Sequence, residues 1–455
     1  MTASGAKQAR LVQGPVGYGL LRLTTPMILG ITANLGAGLV EAFFLAKVGT
    51  AELAAYSFTF PVTGALMSLS LGTSIGLSSV LARTVGSGDQ AQVQRLTSDG
   101  ISLVALIMSV VAVIGWFTIE PLFTALGADE TTLPLIVDYM SVYYIAMVMM
   151  AIPSIGANAL RATGDASISG TIMVSGAVLQ MVLGPFLIFG WLGFPELGLQ
   201  GAAWSNLIAR LALLVVTMWI LHYREHLLSY TSLSLQAVWS SWRRILVVSI
   251  PATATNLIGP ISTAVVVSLL ASFSQETVAG FGIASRIESM FVIPLFALSA
   301  SIGPFVGQNW GAERYDRANE AMLISFKYSL GWGLFVAVLL YLLRTPIAGL
   351  FDDNPEVTEI AGLYLMLVPI SYGCWGVLMM ASAIFNSLGK PVTSTLMSVI
   401  RMFVLYIPLA FLGKYFFGAA GIFAAAAVSN LAMGLISFTW NRKIYPAANS
   451  SQPIS

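Results

Sequence analysis

Residues 26–47 read PMILGITANLGAGLVEAFFLAK. The run is long and apolar enough to cross a bilayer, yet it carries a carboxylate, Glu41. An acid at the centre of a spanning helix costs about 2.5–3.5 kcal/mol on insertion scales, so it is seldom there without a use. Asn34 lies two helical turns before Glu41 and falls on the same face. Pro26, near the start, lacks the N–H that would continue the helical ladder and predicts a bend. From Lys47, an interfacial anchor, Glu41 stands about 9 Å inward along the axis. Burial there disfavours the ionised form. A group so placed can take a proton from one side and release it to the other, and Glu41 reads as an ion-coupling residue.

The rest of the chain has the same character. It has 455 residues, 57% hydrophobic and 9% charged, with a mean hydropathy of +0.84. Soluble domains carry about 25% charged residues, so the composition is that of a polytopic membrane protein in contact with the lipid bilayer. A net charge of +1 gives no sign of a nucleic-acid partner. One cysteine, Cys374, excludes an internal disulfide and a CxxC motif. His222 and His226 are four apart, with no third ligand in view, so no metal site is expected. A Walker-type GxxxxGK[ST] run and a nucleophile–base pair are both missing from the sequence, so neither ATP drive within this chain nor an enzyme is expected. No cofactor is called for beyond a transported H+ or Na+. The polar start followed by a long apolar run reads as a retained first span rather than a cleavable signal peptide.

Twelve apolar stretches are long enough to span, from 18–47 to 418–439. Lys and Arg favour the cytoplasmic side. With both termini inside, Lys7, Arg10, Arg83, Arg95, Arg161, Arg243, Arg244, Arg314 and Lys390 fall on inside segments. The outside loops then hold only Lys47, Arg344 and Lys414, together with acids such as Asp129 and Asp352. The chain also repeats itself. Shifted by 225 residues, Pro26 falls on Pro251, Ser74 on Ser299, Pro121 on Pro346, Tyr139 on Tyr364 and Gly164 on Gly389. A constant offset over about 140 residues implies two similarly oriented six-helix lobes, with the repeat axis along the membrane normal. The expected organisation is a cytoplasmic segment 1–17, an N-lobe 18–222, a linker 223–244, a C-lobe 245–439 and a cytoplasmic tail 440–455. Two such bundles suit alternating access.

Under the repeat, the mate of Glu41 is Val266, so the fold itself does not require the acid. Gln180 in AVLQMVLGP and Asn206 in GAAWSNLIA are the polar residues expected to join Glu41 and Asn34. Such amides also serve as interhelical glue. Arg286 and Glu288, in GIASRIESMF, are a secondary candidate pair; at i, i+2 they do not face each other. Arg210 and Arg401 are further intramembrane charges. Met and aromatic residues are dense in YMSVYYIAMVMM (139–150) and SYGCWGVLMM (371–380). They offer adaptable apolar surface for organic ligands. Tyr139, Tyr143, Met173, Tyr372 and Trp375 are the candidate cavity residues.

The run LVEAFFLAKVGTAELAAYSF (39–58) resembles the first-helix signature of the MATE (multidrug and toxic compound extrusion) transporters. GFGIASRIESMFVIPLFALSASIGPFVGQNWGA (280–312), ALRATGD (159–165) and FNSLGKP (385–391) are similar to further stretches of that family. The resemblance covers nearly the whole chain and is nearest to the prokaryotic DinF-like branch. It implies an all-α membrane fold with a V-shaped central cleft. It also implies export of organic, often cationic, compounds in exchange for H+ or Na+, by a protein acting as a monomer in the inner membrane. Glu41 stands where the branch has Asp, Pro26 at the helix bend, and Tyr139 at a polar aromatic of the N-lobe cavity. The branch's second acid is replaced: the Asn-x-x-x-Asp positions read Gln180 and Gly184, and Asn206 takes the place of a hydroxyl. One remaining carboxylate suits a proton better than sodium. A flippase of a lipid-linked or oligosaccharide intermediate is the alternative on the same fold, and a channel a more distant one.

Overall fold

The computed structural model describes residues 10–229 and 234–444. Lys7 and most of the expected N-terminal segment, part of the linker and most of the C-terminal tail lie outside the described residues. Within them the chain is helical throughout, with no strand. The first lobe contains α1 (Val16–Val48), α2 (Thr50–Gly86), α3 (Gln90–Ala125), α4 (Leu133–Ala162), α5 (Ala166–Ile188) and α6 (Gly198–Trp219). The second contains α7 (Leu235–Ala271), α8 (Gln275–Gly311), α9 (Tyr315–Ala348), α10 (Pro355–Leu367), α11 (Tyr372–Ser387), α12 (Pro391–Val399) and α13 (Ile407–Arg442).

Eleven helical stretches are long and apolar enough to span, the last running from Pro391 to Arg442. That last stretch is the eleventh and twelfth expected spans joined. Gly418 breaks it with φ 60° and ψ −138°, a backbone only glycine adopts readily. Gly413 and Gly421 then meet backbone to backbone. Eight residues of continuous helix would separate them by about 12 Å, so the chain turns back at Gly418. The tenth span is also divided. Val368 and Pro369–Ser371 form a short tight-helical link between α10 and α11, where Pro369 has no N–H to give. Its repeat counterpart, α4, is continuous. A π-helical turn, Ile400–Tyr406, separates α12 from α13.

The chain forms two compact units, and their boundaries differ from those expected of the repeat. Among the described residues, one holds Thr25–Thr253 with Arg10; the other holds Leu11–Thr24 and Ala254–Ile444. The boundaries thus fall inside α1 and α7, one residue before Pro26 and two after Pro251. The start of each half's first helix packs with the opposite half's helices, which hydropathy cannot reveal. In the second unit, the segment before α1 is held by hydrogen bonds. Leu11 N–H donates to Gln308 at 3.1 Å, Asn309 donates to Leu11 C=O at 3.2 Å, and Arg317 donates to Gly14 C=O at 2.8 Å. Gln308 and Asn309 belong to the PFVGQNWGA run and are fully buried. Each unit has its own apolar core, around Leu77, Met108 and Leu160 in one and Leu340, Leu365 and Phe423 in the other.

Pro26 is seated against α5. A Cβ on Gly170 would stand 2.6 Å from the Pro26 carbonyl oxygen. Gly170→Val should therefore cost about 1–3 kcal/mol through overpacking. Gly36→Ala, where a Cβ meets nothing within 4 Å, should be neutral or stabilise by up to about 1 kcal/mol. Thermal unfolding of the purified protein in detergent checks both; equal midpoints for Gly170→Val and wild type would refute the close approach.

Candidate functional site

Glu41 sits on α1 between Pro26 and Lys47, and its side chain is buried, at 8% exposure. A buried carboxylate must find donors for its oxygens. Two arrive from different helices. Gln180 Nε2, on α5, donates to Glu41 Oε2 at 2.9 Å, and Asn206 Nδ2, on α6, donates to Oε1 at 3.2 Å. The Tyr56 hydroxyl, on α2, reaches the same carboxylate. Arg210, one turn beyond Asn206 on α6, supplies the countercharge that acts on it. Four helices thus converge on one side chain. An aromatic group borders it: Tyr139 meets Tyr56 edge to face with centroids 5.7 Å apart and stacks on Tyr143 at 5.6 Å.

At Gly184, where the resemblance would lead one to seek a second carboxylate, a Cβ would lie 3.2 Å from the Phe44 ring, which comes from the same helix as Glu41. A side chain there requires that ring to give by a few tenths of an ångström.

Of the residues expected around Glu41, the structure brings together Gln180 and Asn206. Asn34 shares the register but stands two turns away and is exposed, outside the hydrogen bonds of the carboxylate. Met173 packs on Gly30 of α1, where a Cβ would stand 3.0 Å from its Cβ and Sδ. Tyr139 is closed off at 2% exposure, while Tyr143 is half-buried. Tyr56 was not singled out. Its signal was its place in the stretch 39–58, one short turn after the end of α1. Arg161, next to the end of α4, is buried and bonded to Asn158 and to Met27 Sδ, next to Pro26.

The second unit holds a carboxylate cluster of different make. Tyr364 and Tyr372 both donate to Glu288 Oε2, at 2.6 and 2.8 Å. The tight link between α10 and α11 aims both hydroxyls at one oxygen. Arg401, on the π-helical turn, acts on Glu288 electrostatically and donates to Asn430 Oδ1 at 3.0 Å; Asn430 donates to Ser371 at 3.1 Å. Tyr372, a candidate cavity residue, is 1% exposed and belongs to this cluster. Trp375 is half-buried, 6.2 Å from Phe296. Arg286 is exposed and takes no part in the cluster. Tyr364 entered the sequence reading only as the repeat mate of Tyr139, and Asn430 did not enter at all.

Among the described residues no group of three His, Cys, Asp or Glu is placed to hold a metal. His222 and His226 are not on one helical face: the π-helical turn ends at Arg224 and His226 has φ 49°.

The comparisons with known proteins agree with this architecture. The profile of the MatE family matches residues 26–186 and 251–412, once in each half. A Shewanella oneidensis protein called FAD transporter is 35% identical over 434 residues, 95% of this chain and 96% of that protein. The probable multidrug resistance protein YoeA of Bacillus subtilis is 25% identical over 407 residues, 87% and 88% of the two chains. Among solved structures, the Vibrio cholerae MATE transporter VcmN in the bent form superposes with a TM-score of 0.89 at 28% identity, covering 94% of this chain and 96% of that one. With the profile repeated over both halves, this chain belongs to the MatE family of multi-pass membrane transporters, proteins that move small molecules rather than transform them.

Proposed function

We propose that this chain is a secondary antiporter that exports organic compounds in exchange for protons by alternating access, with Glu41 carrying the proton. The observation that carries the reading is the pair of neutral amides on a buried carboxylate. An amide has both donors and an acceptor. Facing an ionised Glu41, Gln180 and Asn206 present N–H groups. Facing a protonated Glu41, either can turn its carbonyl to accept the new O–H. The site can therefore be satisfied in both protonation states, which a cluster of fixed cations would not allow.

Sodium is the less favoured ion. A hard cation stripped of water needs several oxygen ligands. Here one carboxylate is present, both amide contacts to it use nitrogen, and the Phe44 ring packs against Gly184. The branch nearest in sequence remains the DinF-like one. Its placement in an inner membrane with both termini cytoplasmic follows from the distribution of Lys and Arg.

Organic cations are the cargo that the family resemblance implies. A second reading, a flavin nucleotide, is favoured by the 35% relative called FAD transporter, whose match exceeds that of the probable multidrug resistance protein YoeA. A lipid-linked cargo has no comparable support.

Proteoliposomes carrying the purified protein test the coupling. An imposed pH gradient should drive uptake or release of a fluorescent cation or of flavin adenine dinucleotide, and an Na+ gradient should not. Glu41→Gln should lower the driven rate by about tenfold or more; an unchanged rate would remove Glu41 from the mechanism. A second variant tests the packing at Gly184. Gly184→Asp alone should lower thermal stability in detergent, and adding Phe44→Ala should restore it, because the ring's volume is then free. If Gly184→Asp is as stable as wild type, Phe44 does not occupy that space.

A further inference from the structure

The charges at membrane depth in the second unit do not cancel. Glu288 is matched by Arg401, which acts on it electrostatically. Arg286 is left over. Among the described residues its guanidinium makes no hydrogen bond or ion pair, and it is exposed on α8. It stands eleven residues after Gln275, the start of α8, or about 16 Å along the axis. That is near the middle of a hydrocarbon core about 30 Å thick. An arginine stem reaches only part of that distance, so snorkelling does not bring the charge to the interface.

The surroundings of Arg286 are not those of a lipid-facing stripe. Ala279, Gly282 and Ser289 flank it on the same side of α8 beside one exposed apolar residue, Met290, and a Cβ on Gly282 would meet nothing within 4 Å. The exposed side of α9, by contrast, is built from Leu334, Val338 and Leu342. Small and polar neighbours around an unpaired cation at mid-depth indicate a water-filled path. Further along α8, about 15 Å from Arg286, Phe296 is exposed and packs edge to face with Trp375, the centroids 6.2 Å apart.

We propose that Arg286 is an anion-binding residue of the substrate path and that this stretch of α8 selects an extended organic anion, an aromatic ring joined to a phosphate. The guanidinium fork matches a phosphate bidentately. Phe296 and Trp375 offer the ring a flat apolar surface at a distance that a dinucleotide-sized molecule spans. The proposal rests on the exporter reading and deepens its flavin-nucleotide alternative. It concerns recognition only, since no bond is made or broken.

The test separates recognition from transport. Binding of riboflavin and of flavin adenine dinucleotide to the full-length protein in detergent is measured by equilibrium dialysis. The two probes share a ring system and differ in the phosphate-bearing arm. Wild type should bind the dinucleotide about tenfold or more tightly than riboflavin. Arg286→Gln should erase that difference while leaving riboflavin affinity unchanged, and Arg286→Lys should keep part of it. Equal affinities in wild type, or an unaltered preference in Arg286→Gln, would overturn the proposal. So would loss of the preference when phosphatidylglycerol is added, which would assign Arg286 to a lipid headgroup. Gradient-driven transport by wild-type proteoliposomes is read separately. An Arg286-dependent preference without any transport would refute the exporter reading and leave the anion site standing; transport of cations alone, with no such preference, would do the reverse.

Discussion

A carboxylate taken out of water must be given hydrogen bonds, and the first unit is arranged around meeting that demand for Glu41. Its donors come from α5 and α6, a hydroxyl from α2 and a countercharge from α6. None of these helices is adjacent to α1 in the chain except α2. The cluster therefore depends on tertiary packing, and each polar side chain fixes the rotation of the helix that bears it. Leaving one donor unmade would cost about 1–3 kcal/mol, and more for a charged partner. That is a large fraction of a typical folding free energy. The same bonds that satisfy Glu41 also set the register of the bundle.

The two halves share a plan and differ in their polar chemistry. In the first unit, two amides donate to the acid, with a phenol and the Arg210 countercharge beside them. In the second, two tyrosine hydroxyls converge on one oxygen of Glu288, and Arg401 supplies the opposite charge. The two clusters thus share an arginine and a phenol, and the amides that donate directly to the carboxylate are found in the first. The backbone follows the same division. The tight link at Pro369–Ser371 and the π-helical turn at Ile400–Tyr406 occur where the second cluster needs its side chains aimed, and the corresponding helices of the first unit lack them at those positions.

Membrane residence, the twelve spans and the internal repeat were legible in the sequence because each rests on local composition or on a constant offset. Glu41, Gln180 and Asn206 were legible for a related reason: polar groups are conspicuous in apolar runs. What the sequence did not carry is what depends on helix rotation and neighbour choice. Asn34 has the right period for Glu41 but not its neighbourhood. Tyr56 and Tyr364 look like ordinary interfacial aromatics until α2 and α10 are placed. The filling of the space beside Gly184 by Phe44 is a volume relation between two helices, and no pattern along either one announces it. The assignment of the start of α1 to the second unit is likewise a matter of packing, carried by buried amides at Gln308 and Asn309.

That assignment gives the proline a definite task. Between Thr24 and Thr25 the chain leaves one unit for the other, and Pro26 follows at once. Proline removes one ladder hydrogen bond and crowds the carbonyl four residues before it, so bending is cheapest there. Pro251 occupies the equivalent place in α7, two residues from that helix's own boundary. Both crossings therefore lack a ladder hydrogen bond near the same place, and this weak point is a property of the repeated fold. Only α1 carries an acid fifteen residues further on, since the mate of Glu41 is Val266. On the proton-coupled reading, the fold supplies two flexible crossings and the sequence puts a titratable group on one of them. A change of charge at Glu41 alters which hydrogen bonds hold α1 to α5 and α6, and the nearest point at which α1 can yield is Pro26.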